Sequence, residues 1–172
     1  MSQQHLRQIS ATYVPEEDRI LLRLNTTTDT EYRFWVTRRY LALVWRVGLR
    51  ILDRFGGPGA AGLGAELAHL THVEMTRRAD TTTPYKEGRH FPLGESPLLL
   101  ARITHLPRAL PNQGLRLEPA QGHGIDINVD EQLTHNLLRL LRDAAARAEW
   151  GLDLSVAATS DTPTSGHPRR LH

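Results

Sequence analysis

The chain contains no cysteine. That excludes a disulfide framework, a thiolate nucleophile and any cysteine-ligated metal centre. Lysine is almost as scarce: of 21 basic residues Lys86 is the only lysine, and the rest are arginine. Such a skew fits a GC-rich coding background, so arginine abundance carries little functional weight and arginine placement carries more. No apolar run approaches the ~18 residues of a membrane-spanning helix. The opening "MSQQHLRQIS" also lacks the apolar core of a secretory signal. The expectation is a cytoplasmic protein with no membrane partner. Phosphate-cradling and catalytic signatures are missing too. "GGPGAAGLG" follows a helical pattern and has no lysine in the Walker position, and no nucleophile elbow or zinc-protease motif occurs. These absences imply no cofactor and give an enzyme no positive support.

What is present is enough for a core: 172 residues, 40% of them hydrophobic. Residues 9–36 read as three strands, "ISATYV", "RILLRLN" and "EYRFWV", separated by the turn segments "PEED" and "TTTDT". Leu22 and Leu24 flank Arg23, while Tyr32, Phe34 and Val36 flank Arg33 and Trp35. This period of two marks strands with one buried face and places Trp35 outward. Thr37 is suited to cap the helix that follows, and "FGGPG" to stop it.

The same order returns later: "PLLLARI", "GLRLEP" and "HGIDINV" read as strands, and Asp130 caps a helix running to about Trp150. An offset of 93 carries Leu22-Arg23-Leu24 onto Leu115-Arg116-Leu117, Tyr32 and Phe34 onto Ile125 and Ile127, and Val36 onto Val129. The first strands fit this offset only after a shift of about four residues. The fold class expected is α+β: two βββα units, read as an internal duplication, with antiparallel sheets each packed by one helix. One domain would span 1–154, its pseudo-repeats at about 8–56 and 97–151 joined by a helix at 60–78 and a long loop within 57–96. Residues 155–172, polar and proline-containing, read as a disordered tail.

Three functional readings follow. The first is a non-enzymatic adaptor or assembly factor acting through protein contacts, with a protein partner or a second copy of itself as a homodimer. Structural capacity without visible catalytic equipment motivates it. The second rests on "TRRYLALVWRVGLRILDR": between positions 33 and 54 lie six arginines and one acid, Asp53. At 100° per residue Arg39, Arg46, Arg50 and Arg54 fall within roughly 80° and form a stripe of about 20 Å. Such a row can follow a single-stranded DNA or RNA backbone, with Arg33 and Trp35 adding charge and a stacking surface. Against it, the matching helix mixes Arg139, Arg142 and Arg147 with Asp143 and Glu149. In outline the plan resembles that of whirly-type and PUR-type single-strand binders, which use more strands per unit. That resemblance implies nucleic-acid binding and assigns no residue. The third reading is a metal-dependent enzyme centred on Glu66, His69 and His72, which share a helix face at spacings of three. His105, His123 and His135 read as solvent-exposed.

Overall fold

Alternating side chains set the inner wall. Ile20, Leu22 and Leu24 are buried between the outward Leu21 and Arg23, and Tyr32, Phe34 and Val36 alternate with Arg33 and Trp35. The structure is a computed structural model, and it describes residues 4–56, 74 and 83–155. Two antiparallel meanders emerge: β1 (Gln4–Val14), β2 (Arg19–Thr26) and β3 (Glu31–Val36), then β4 (Leu98–Leu106), β5 (Gln113–Pro119) and β6 (Ile125–Val129). Each meander is followed by a helix, α1 (Arg38–Arg54) after β3 and α2 (Glu131–Arg147) after β6. The chain is thus α+β, built as two βββα units.

The two meanders close into one barrel through two short parallel seams. At one, Phe34 and Trp35 pair with Leu98 and Leu99; at the other, Gln4 and His5 pair with Ile127 and Asn128. A three-stranded sheet has little capacity to bury its own inner face. Here the inner residues of both meanders and the buried faces of both helices form one cluster, from Ile20 through Phe34 and Leu100 to Leu141. The helices cross at Gly48. A Cβ there would stand 2.6 Å from Cδ2 of Leu138, so glycine permits the close approach.

β2, β3 and α1 map onto β5, β6 and α2 at the 93-residue displacement, and β1 maps onto β4 at 94. α1 and α2 are both 17 residues long and start at 38 and 131. β1 starts at Gln4 and β4 at Leu98, so the first strands need no four-residue shift. The sequence reading began β1 too late because His5, Leu6, Arg7 and Gln8 are exposed or half-buried and carry a diluted alternation.

The helix caps match expectation. Thr37 accepts from the Tyr40 amide at 3.4 Å, and Asp130 Oδ1 from the Leu133 amide at 2.7 Å. Replacing either Thr37 or Asp130 by alanine is expected to cost about 1 kcal/mol, read from urea unfolding midpoints. α2 ends at Arg147, earlier than its apolar pattern suggests. Glu149, at φ 53, turns the chain so that Trp150 folds back on the first hairpin. Its indole donates to Asp18 Oδ1 at 3.0 Å and meets the Tyr13 ring edge-on.

His135 is buried rather than exposed, and burial pushes its imidazole below the ordinary value of 6.5. Above that value the residue is neutral both folded and unfolded. Below it the unfolded chain takes up a proton that the folded chain resists, so stability is full above 6.5 and declines as pH falls. Thermal melts from pH 7.5 to 5.5 should show this loss. It precedes the losses at Asp18 and Asp126, whose depressed carboxyls matter only below 3.8.

Candidate nucleic-acid interface

Helical periodicity sorts α1 into two faces. Leu41, Val44, Trp45, Gly48, Ile51 and Leu52 are buried, while Arg39, Arg46, Arg50 and Arg54 are exposed along the opposite side. Among the described residues none of these four arginines takes part in an ion pair or hydrogen bond. Leu43 lies within the same row and is 38% exposed. The matching helix differs: on α2, Arg139 bonds both Asp143, at 3.2 Å, and Asn136, at 2.9 Å.

Arg33 is held elsewhere, in a cluster that sequence reasoning missed. β2 and β3 place Arg23 directly opposite Arg33 on the outer face, and like charges so placed repel. In the second unit the same pair is Arg116 and Asp126, which bond at 2.6 and 2.7 Å. The first unit instead draws one acid from the connection and one from β3 itself. Glu87, from the connection, lies 3.6 Å from Arg23 and 3.7 Å from Arg33, and Glu31 accepts from Arg33 Nε at 2.7 Å. That bond is the main cause raising the Arg33 pKa.

Residues 83–96 thereby form a strap over the first sheet. Tyr85 lies under the Arg23 guanidinium, 4.1 Å from its ring centroid, and Phe91 under Arg33 at 4.7 Å. Asn25 donates to the Lys86 carbonyl at 2.8 Å, the Lys86 amide donates to Gln8 at 2.9 Å, and the Gly88 amide donates to Glu31 Oε2 at 2.7 Å. Gly88 is required by space: a Cβ would stand 2.7 Å from that of Glu31. His90 extends the strap along the edge of β3, bridging Thr30. Burial, followed by the Glu31 charge, pushes the Tyr85 hydroxyl's pKa up. The available signal was charge balance: two opposed arginines with no acid between them demand one from a distant segment.

Trp35 occupies the uncovered end of the same outer face. It pairs in register with Leu21 on one side and Leu99 on the other, and it is half-buried. A cleft of about 480 Å³ lies between β1 and the first turn of α2, lined by Leu6, Gln8, Leu133 and Asn136 among others. Its carboxylate, Asp130, is occupied by capping the helix. His105 bonds Gln113 at 2.9 Å, and His123 is exposed. Of the helix expected at 60–78 only Glu74 is described, and it is helical; Glu66, His69 and His72 lie outside the described residues. Among the described residues no three His, Asp or Glu side chains group as metal ligands, and no helix is long and apolar enough to cross a membrane.

No family model, curated protein or solved structure matches this chain.

Proposed function

We propose that this chain is a non-enzymatic nucleic-acid-binding protein that grips a phosphate backbone along α1. One observation carries the reading: Arg39, Arg46, Arg50 and Arg54 stand exposed in one line, without ion pairs among the described residues. A merely solvated helix face is commonly laced with its own acids, as α2 is through Arg139 and Asp143. α1 carries only Asp53, near its end. Guanidinium forks match phosphate oxygens, and a row of them suits a repeating polyanion better than a single anion. Arg33 is assigned to holding the strap, since its guanidinium is committed to Glu31 and Glu87.

The adaptor reading keeps an observation of its own, the exposed Leu43 and Leu99. An acidic protein surface would use the same arginines. The two readings separate in a competition experiment. Fluorescence anisotropy with labelled oligothymidylate at near-physiological salt should give micromolar binding, and unlabelled polyglutamate of matched charge should compete poorly. Equal competition would move the proposal to an acidic protein partner, and absence of any binding would end it.

A further inference from the structure

We infer that this interface selects single strands over duplex, with exposed bases stacking on a platform formed by Trp35, Leu21 and Leu99. The inference rests on the nucleic-acid reading of α1 and names its substrate class.

The platform is a continuous outer row. Leu21 pairs with Trp35 across β2 and β3, and Trp35 with Leu99 across the β3–β4 seam, so the three side chains share a face. Leu99 is 38% exposed. The strap covers the neighbouring rows, Arg23 with Arg33 and Asn25 with Glu31, and none of its bonds reaches Trp35. The other two tryptophans are buried and hydrogen-bonded, Trp45 to the Ser155 carbonyl and Trp150 to Asp18. The Trp35 indole has no hydrogen-bond partner among the described residues.

Position joins the platform to the cationic row. Trp35 precedes Arg39 by four residues, which limits their Cα separation to about 14 Å. A strand whose phosphates follow Arg39 to Arg54 can therefore bring a base to Trp35. The second unit differs at both places: Gly114 and Asn128 stand where the first unit has Leu21 and Trp35, and Arg139 is paired with Asp143. A row of four exposed, unpaired arginines and an available indole thus occur together in one unit, whereas on α2 Arg139 is paired, Asp143 stands in the row, and no indole lies at the matching strand position. Charge complementarity selects a polyanion, and the indole selects one with free π-faces. Bases inside a duplex are stacked on one another and cannot offer theirs, whereas those of a single strand can.

The test uses the full chain with labelled oligothymidylate, oligouridylate and a DNA duplex of equal length. Wild type is expected to bind the single strands at least tenfold more tightly than duplex, with quenching of its fluorescence on binding. Trp35→Ala should lose about tenfold in single-strand affinity and leave duplex binding unchanged, and Trp35→Phe should keep most of it. Equal affinity for single strand and duplex, both lowered in an Arg46→Glu/Arg50→Glu variant, would overturn the stacking inference and leave the backbone grip standing. No binding to any probe would overturn both. Should Trp35→Ala fold poorly, wild-type acrylamide quenching decides: protection by oligothymidylate supports the platform, and unchanged accessibility in the bound state contradicts it.

Discussion

Replacing Arg46 and Arg50 together by glutamate is expected to abolish measurable oligonucleotide binding at near-physiological salt, while the melting temperature stays within a degree or two of wild type. The two residues form the middle of the exposed row on α1, and neither touches another described residue through an ion pair or hydrogen bond. Their removal therefore takes nothing from the fold that the structure identifies. Exposed substitutions away from caps and packed contacts generally change stability by about 0.5 kcal/mol or less. Binding should respond differently, because each arginine–phosphate contact releases a condensed counterion and contributes about 0.7 to the logarithmic salt slope for a single strand. Four contacts predict a slope of about −3, and losing the central two predicts half that or less. Two added negative charges would also repel the strand. If the variant instead unfolds or melts far below wild type, the row is part of the architecture and the binding proposal fails.

The largest stability effect is expected at Glu31. Its side chain is fully buried and accepts from Arg33 Nε and from the Gly88 amide, both at 2.7 Å. Glu31→Ala would leave a largely buried guanidinium short of its main partner and orphan the amide that seats the strap. Breaking a buried ion pair from one side costs about 3 to 5 kcal/mol. The lower end applies here, since Glu87 still neutralises part of the charge at 3.7 Å. Removing both partners in Glu31→Ala/Arg33→Met should recover a substantial part of the loss, because the uncompensated charge goes with it. Urea unfolding measures both variants. A loss below about 1 kcal/mol for the single change would show that the strap contributes little to the fold.

These two residues also mark where sequence reasoning stopped. Glu31 is in phase with the outward Arg33 and Trp35, so alternation alone assigns it to solvent. It is buried because a segment some sixty residues later lies over it, through Gly88 and Glu31 among others. No periodicity reports a contact of that separation. The barrel closure was hidden for a related reason, since each seam consists of only two paired residues on otherwise ordinary strands. By contrast, the inner wall was written in the local alternation of Leu22 and Leu24 and of Tyr32, Phe34 and Val36. The caps at Thr37 and Asp130 and the common displacement of 93 were equally local in origin. The arginine row was legible because a single helix defines it, and a 3.6-residue period needs no tertiary information. Whether that row was free or paired was not legible. Arg33 reads the same as Arg39 in the sequence, yet it is bound to Glu31 and Glu87 while Arg39 is open.

The central claim is that α1 holds a phosphate backbone, and its most direct test is the salt dependence of wild-type binding to oligothymidylate, measured by anisotropy from low to near-physiological ionic strength. The account predicts that the logarithm of the association constant falls linearly with the logarithm of salt concentration, with a slope of about −3 for four arginine contacts. It also predicts that binding remains detectable at the upper end. A slope near zero, or association seen only at the lowest salt and with any polyanion, would contradict it.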